Sequence, residues 1–193
     1  MPRLVPPVVP AGRMRAGPQP TLPARPHLEA RPWRPTDAND LLHAFADPEI
    51  RRWHMRELDT EREALDWMMS WTERWTAETD AGWAVADRET DELRGQVALR
   101  FVNLEFGYGH VTYWTRPEFR GSGIAASAAD AVGRWALEDL GLHRLEIHHS
   151  TANASSCRVA EKAGFEFEGV MRSALLHEDG WHDMHVHARI RHG

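Results

Sequence analysis

The sequence has 193 residues, with 23 basic and 29 acidic side chains and a formal charge of −6. This length predicts one domain, with or without a tail, and suffices to bury a core without disulfides or a structural metal. The acidic balance argues against a nucleic-acid-binding protein, and no apolar stretch approaches the roughly 18 residues that span a bilayer. The single cysteine, Cys157, excludes an internal disulfide and a zinc site built from several cysteines.

The N-terminal segment is rich in proline and poor in large apolar side chains. Proline fixes φ and removes a hydrogen-bond donor, so residues 1–27 are predicted to form an extended, irregular arm. This arm is either a loose tail or a segment that packs on the domain or on a second subunit. Because it lacks the continuous apolar run of a signal peptide, the sequence predicts a cytoplasmic protein.

Regular structure is predicted from Leu28 onward. Residues 28–33 are typical of a short strand, placed at a sheet edge because Pro32 lacks an N–H. Thr36 and Asp37 favour the start of a helix that Asp47-Pro48 ends. Thr60 and Glu63 resemble a capping box. Behind them a stripe at helical spacing forms either core or a substrate groove: Leu65, Met68, Met69, Trp71 and Trp75.

The second half of the chain alternates strands with helices. Strands are predicted at residues 83–86, 93–102, 110–114, 144–149, 165–170 and 184–188, and helices at 123–140 and 155–163. Asp179-Gly180 indicates a hairpin turn between the last two strands. The whole order predicts an α/β (α+β) fold with a mixed sheet of seven strands and about four helices.

A glycine-rich turn joins the strand at residues 110–114 to the long helix. Gly121 and Gly123 permit backbone geometry closed to bulkier residues and let N–H groups approach a ligand closely. The positive end of the following helix favours a phosphate or pyrophosphate, and Arg120 can add charge-assisted hydrogen bonds. On its own, this short motif is equally consistent with a tight turn before a helix.

A second segment, from Asn153 to Gly169, adds specificity. Together the two segments resemble the GNAT superfamily of N-acetyltransferases, and in particular its RimJ/RimL branch, from about residue 28 to residue 190. The residues that carry the resemblance are Tyr113-Trp114, Arg120-x-x-Gly123-x-Ala125, Asn153-x-x-Ser156 and Glu161-Lys162-x-Gly164-Phe165.

The resemblance implies a mostly antiparallel sheet, splayed in the middle, with acyl-CoA bound in the splay. It implies three groups of cofactor-binding residues: Tyr113, Trp114 and Thr115 beside the pantetheine arm; Arg120, Gly121, Ser122, Gly123, Ile124 and Ala125 around the pyrophosphate; Asn153 and Ser156 near the thioester. The implied reaction transfers an acetyl group from acetyl-CoA directly to a primary amine, either a protein N-terminus or a small molecule. Another donor such as succinyl-CoA, or a non-catalytic acyl-CoA-binding protein, is the alternative.

Direct transfer requires a neutral amine and a stabilised thiolate. Ser156 is the candidate that protonates the thiolate, with a helix-capping hydroxyl as its alternative role. Cys157 lies next to it and is expected to be an inert thiol rather than an acyl carrier. Glu105, in the loop before the third predicted strand, is the candidate general base. His110 and His148 are its rivals, because histidine titrates near neutrality.

Five histidines crowd the C-terminal region: His177, His182, His185, His187 and His192. No cysteine or carboxylate partner stands at a recognised metal-ligand spacing, so no metal is expected from the sequence. Acceptor residues are expected in the least recognisable regions, residues 45–83 and 105–109. The acidic balance favours a cationic acceptor only mildly. A homodimer is expected to form through an exposed strand or the proline-rich arm.

Overall fold

A computed structural model describes residues 4–191. Its strands are β1 (Leu22–Arg25), β2 (Leu28–Pro32), β3 (Ala81–Asp87), β4 (Leu93–Asn103), β5 (Tyr108–Thr115), β6 (Arg144–Ser150), β7 (Glu166–His177) and β8 (Gly180–Ile190). Its α-helices are α1 (Ala38–Phe45), α2 (Pro48–His54), α3 (Glu61–Ala77), α4 (Ile124–Arg134) and α5 (Ala154–Lys162). A π-helical segment, Trp135–Leu140, extends α4 to the end predicted for the long helix.

The strands form one sheet in the order β1-β2-β3-β4-β5-β6-β8-β7. Every neighbouring pair is antiparallel except β5 and β6, which are parallel. The mixed, mostly antiparallel fold class is thus confirmed. Over residues 4–191 the sheet has eight strands and the fold five α-helices, rather than seven and four, because β1 and α2 were missing from the prediction.

The added strand β1 corrects the edge placement of β2. Leu22 lies opposite Ala30, so β1 covers β2 only up to that residue. Pro32 lies beyond the end of β1 and pairs with Trp83 of β3 on the other side. A proline is therefore tolerated in an internal strand, because its missing N–H falls where no neighbour needs it.

The proline-rich arm is not a loose tail over its described part. The N–H groups of Val8 and Val9 donate to the carbonyl oxygens of Glu105 and Leu104. Val9 and Met14 are each only 2% exposed. The alternative prediction, an arm that packs on the domain, describes this part of the chain.

One carboxylate anchors the middle of the arm. Glu78, at the end of α3, accepts hydrogen bonds from the N–H groups of Gly12 (2.6 Å) and Met14 (2.7 Å). Arg15 N–H adds a third, longer bond of 3.3 Å. Burial alone would raise the pKa of Glu78, but these N–H groups outweigh it and hold the pKa below its usual value.

Helix α2 begins where the sequence predicted only an end. Asp47 is its N-cap, and the carboxylate accepts the N–H of Ile50 at 2.9 Å. Pro48 occupies the first turn, where its missing N–H costs nothing. The helix ends at His54, and Met55 follows with a left-handed φ of 50°. It thereby carries Trp53 and His54 over the middle of the sheet.

Two apolar cores cover the two faces of the sheet. One contains α4, the arm and Trp83; the other contains α1, α3 and Trp114. The capping box of Thr60 and Glu63 is present at the start of α3. The aromatic stripe of α3 is mainly core, since Trp67, Met68, Trp71 and Trp75 are buried, although Met69 is 60% exposed.

The parallel pair β5–β6 is short. Only three residue pairs join the strands, the last being His110 with Glu146. Beyond them β5 pairs only with β4, and β6 only with β8. The sheet is therefore open between the ends of β5 and β6, where the resemblance implied a splay.

No helix within residues 4–191 is both long and apolar enough to cross a bilayer. A homodimer stays a prediction, for which the edge strand β7 offers an exposed surface.

Glu78→Gln tests whether the arm is part of the fold. Replacing a charged acceptor of three N–H groups, of which that of Met14 is buried, should lower the free energy of unfolding by about 2 kcal/mol in urea at pH 7. Because folding depresses the pKa of Glu78, its contribution is present above the ordinary value of 4.5 and is lost as pH falls through the folded pKa. The gap between variant and wild type should therefore shrink in acid. Glu73→Gln, on an exposed position of the same helix, is the control. Equal stabilities at pH 7 would contradict the anchoring role.

Candidate functional site

A cleft of about 250 Å³ lies at the opening between β5 and β6. The end of β5, the glycine-rich loop and the first turns of α4 and α5 form most of its wall, and α2 closes one side. Ten of the residues selected from the sequence line it together: Tyr113, Trp114, Thr115, Arg120, Gly121, Gly123, Ile124, Ala125, Asn153 and Ser156. The lining does not include Ser122.

The loop adopts the conformation that its glycines permit. Gly121 and Gly123 have φ values of +77° and +81°, in the region that favours glycine. Gly123 is the N-cap of α4, so the first N–H groups of the helix have no intrahelical acceptors, and Gly123, Ile124 and Ala125 line the cleft. The arm also supports the loop, because Arg25 Nη1 donates to the carbonyl oxygen of Ser122 at 2.6 Å. The sequence carried no signal for this support.

Arg120 is already paired with α2. Its guanidinium contacts Asp47 Oδ1 at 2.5 Å and Glu49 Oε2 at 2.8 Å. Partial burial raises the pKa of Asp47. The Arg120 guanidinium and the Ile50 N–H together lower it by more, so the pKa lies below its usual value. Arg120 therefore fixes α2 against the loop, and Arg158 and Lys162 are further cations on the cleft wall.

Ser156 faces a partner that the sequence had not assigned to it. Its Oγ lies 2.8 Å from the phenol oxygen of Tyr113. The capping role belongs instead to Asn153, whose Oδ1 accepts the Ser156 N–H at 3.1 Å. Burial is the main cause that raises the pKa of Tyr113 above its usual value. The phenol thus stays protonated, and the two hydroxyls form a linked pair at the cleft wall.

His54, at the end of α2, is a cleft residue that sequence reasoning missed. Its Nε2 donates to the carbonyl oxygen of Tyr113 at 3.2 Å. Burial lowers the pKa of His54 to about 4, more than the bond to Tyr113 raises it, so the ring is neutral near pH 7. With Nε2 as the donor, Nδ1 is the acceptor nitrogen.

The three base candidates do not line the cleft. Glu105 is exposed in the turn before β5, at the end of that strand opposite to Tyr113, and its carbonyl holds the arm. His148 Nε2 contacts Glu146 Oε2 at 2.6 Å, and Tyr108 donates to the same oxygen at 2.9 Å. His110 packs on His148 within this network. Burial, aided by His148, lowers the pKa of His110 to about 4.

A smaller pocket of about 70 Å³ lies beside the cleft and shares His54 with it. Arg56, Arg74 and Arg100 line it together with Thr112 of β5. Within residues 4–191, Arg100 alone of the three has a carboxylate partner, Asp80 at 2.6 Å. The pKa of Arg56 is lowered by burial and by its two arginine neighbours. The pocket thus concentrates positive charge.

Comparison with protein families assigns the fold. The family model for the acetyltransferase (GNAT) domain matches residues 27–166. The chain belongs to the GNAT acetyltransferase family. As a GNAT protein it is an acyl-CoA-dependent N-acetyltransferase, which confirms the activity that its motifs implied.

Its relatives include several N-acetyltransferases. The uncharacterized N-acetyltransferase YoaA of Bacillus subtilis is 22% identical over 156 residues, 80% of this chain and 88% of that protein. Ribosomal-protein-serine acetyltransferase of Escherichia coli is 28% identical over 100 residues, 52% and 56% of the two chains. The structure of the ribosomal alpha-N-protein acetyltransferase RimL in complex with coenzyme A covers 89% of this chain and 98% of its own, with a TM-score of 0.78 and 19% identity. At that identity the likeness supports the fold alone.

Proposed function

We propose that this GNAT protein transfers an acetyl group from acetyl-CoA, bound in the β5–β6 cleft, to the amine at the N-terminus of a protein or peptide. The observation that carries the proposal is the opening of the sheet beside a glycine-rich helix start. Relatives that acetylate ribosomal proteins support the choice of acceptor. Acetyl-CoA in the cytoplasm would be the donor pool.

Each part of the cleft has a role toward acetyl-CoA. The N–H groups of Gly121 to Ala125 would bind the pyrophosphate, because the start of α4 offers donors and a positive dipole end. The edge of β5 from Tyr113 to Thr115 has no strand partner on the β6 side and would pair with the pantetheine amides as an added strand does. The positive charges of Arg158 and Lys162 on the cleft wall would attract the phosphates.

The linked hydroxyls supply the chemistry at sulfur. Attack of a neutral amine on the thioester carbonyl forms the amide and releases the CoA thiolate. In this proposal Ser156 Oγ donates its proton to that sulfur, and Tyr113, 2.8 Å away, replaces the proton on Ser156. The nitrogen that has attacked releases its extra proton to solvent, and solvent returns a proton to the Tyr113 phenol, so no net charge is left on either hydroxyl. Holding donor and amine together supplies much of the remaining rate.

On the acceptor side, His54 and the arginine pocket act together. Neutral His54 would accept an N–H of the incoming amine at Nδ1 and so orient it, as a positioning residue. The adjacent pocket of Arg56, Arg74 and Arg100 would bind a carboxylate of the same acceptor. The acceptor predicted here is therefore an N-terminus followed by an acidic residue. This differs from the cationic acceptor mildly favoured by net charge, because local charge decides recognition.

Acetyl-CoA binding tests the loop. Acetyl-CoA should raise the unfolding temperature of the wild-type protein. At a hundredfold excess over the dissociation constant, the added free energy of unfolding should be about 2.7 kcal/mol. Gly123→Ala forces a side chain into a left-handed φ that costs about 1–2 kcal/mol, so its affinity should fall roughly tenfold. Gly17→Ala, whose added methyl meets nothing within 4 Å, is the control. No rise for wild type would contradict the site, and a larger rise with succinyl-CoA would contradict the choice of donor.

Ser156→Ala tests the proton donor. Turnover should fall about a hundredfold or more, because the thiolate would leave unprotonated, while the stabilisation by acetyl-CoA should stay near that of wild type. Tyr113→Phe should show a smaller fall in kcat. Ser70→Ala, on α3 and away from the cleft, should match wild type. A normal rate for Ser156→Ala would show that this hydroxyl is not the proton donor.

Paired peptides test the acceptor pocket. The test uses two serine-initiated peptides that differ only in the second residue, which is glutamate or glutamine. The glutamate peptide should have the higher kcat/KM, by roughly tenfold, which corresponds to one charge-assisted hydrogen bond. Arg74→Ala should remove most of that preference and leave the glutamine peptide unaffected. Arg62→Ala, exposed on the same helix, is the control. Equal rates for both peptides in wild type would refute the anion pocket but not the acetyltransferase.

A further inference from the structure

Four potential metal ligands converge behind the cleft. They come from three elements: His149 of β6, His185 and His187 of β8, and Cys157 of α5. His149 lies directly opposite His185 in the strand register, and His187, two residues farther along β8, shares the same face. Each residue offers one ligand atom, and these atoms all lie within 4.8 Å of one another.

The spacing of these atoms fits a tetrahedral ion. His149 Nε2 lies 3.3 Å from His187 Nε2, and Cys157 Sγ lies 3.7 Å from the same nitrogen. Zinc bound at about 2.0–2.1 Å from nitrogen and 2.3 Å from sulfur would separate tetrahedral ligands by roughly 3.3 Å for two nitrogens and 3.6 Å for nitrogen and sulfur. We propose that His149, Cys157, His185 and His187 form a zinc site.

Burial and hydrogen bonds orient the rings for this role. His187 is fully buried and His149 is 5% exposed. His149 Nδ1 donates to the carbonyl oxygen of Ser150 at 2.9 Å, which leaves Nε2 as the coordinating nitrogen. His185 Nδ1 is buried and, within residues 4–191, has no hydrogen-bond partner. An ion bound by the group would give His185 a partner and would use the approach of Cys157 Sγ to His187 Nε2.

The donor set selects the metal and the role. Imidazole and thiolate suit zinc, whereas magnesium and calcium prefer oxygen ligands. Four protein ligands would complete the coordination, as in structural zinc sites, and leave no position for a reacting water. The ion would tie α5 to β6 and β8. Because Cys157 directly follows Ser156 in α5, the bound ion would also restrict the position of Ser156, the proposed proton donor.

The sequence predicted no metal because its histidine cluster contained only half of this site. His177 and His182 lie against each other and beside Trp53, in a different place, and His192 lies outside the described residues. His149 and Cys157 join the group only through strand pairing and the position of α5. A second group, His110, Glu146 and His148, is already linked by hydrogen bonds and has a tyrosine on its carboxylate.

Cobalt and zinc binding test the proposal without any activity assay. Chelator-treated protein should bind one equivalent of zinc by calorimetry and gain thermal stability. Cobalt(II) should give the intense visible bands of tetrahedral coordination and a thiolate-to-metal charge-transfer band. Cys157→Ser should abolish the charge-transfer band and weaken zinc by more than the roughly 10–100-fold that loss of an outer hydrogen-bond partner costs.

His148→Ala is the matched control, because it changes the neighbouring residue on β6 and belongs to the other histidine group. It should leave the cobalt spectrum and the zinc stoichiometry unchanged, and His185→Asn should weaken binding as Cys157→Ser does. Wild-type protein that binds well under one equivalent, or a cobalt spectrum without the charge-transfer band, would overturn the site. Loss of the spectrum in His148→Ala with retention in Cys157→Ser would also overturn it and assign the metal to the other group.

Discussion

The separation of β5 from β6 is the constraint on which the site depends. Parallel pairing stops at His110 and Glu146, so the edge of β5 from Tyr113 to Thr115 has no strand partner on the β6 side. Backbone groups left unpaired inside a fold cost free energy unless other groups satisfy them. His54 satisfies one of them by donating to the Tyr113 carbonyl, and a bound pantetheine would satisfy others. Backbone groups of β5 at this edge therefore remain available for hydrogen bonds with a ligand.

The surroundings of the cleft follow from keeping this opening in shape. Helix α2 closes one side and is fastened to the glycine-rich loop by Arg120, through Asp47 and Glu49. The arm supports the same loop through Arg25. A phosphate that approaches the loop meets helix N–H groups directly, whereas Arg120 is already engaged. Its main contribution in this structure is therefore to connect α2 to the glycine-rich loop.

What the sequence could predict was local, and what it missed depended on distant contacts. The Gly121–Gly123 loop and the Asn153 cap act within a few residues, so their patterns were readable. Helix α2 also carried a local signal, but Asp47-Pro48 is both a terminator and a helix start, and only the first interpretation was made. Strand β1 and His54 gave no such signal, since their roles depend on pairing with β2 and on contact with β5.

Helix α5 connects the cleft to the histidine–cysteine group. It has nine residues, of which only Ala160 is fully buried, so apolar packing alone fixes its position weakly. Consecutive residues on it face different partners: Ser156 contacts Tyr113 in the cleft, and Cys157 approaches His187 of β8. The proposed reaction needs the Ser156 hydroxyl held close to the sulfur, and anything that secures Cys157 also restricts Ser156. An ion bound at Cys157 would thus restrict Ser156 on the other side of this short helix without any change in the sheet.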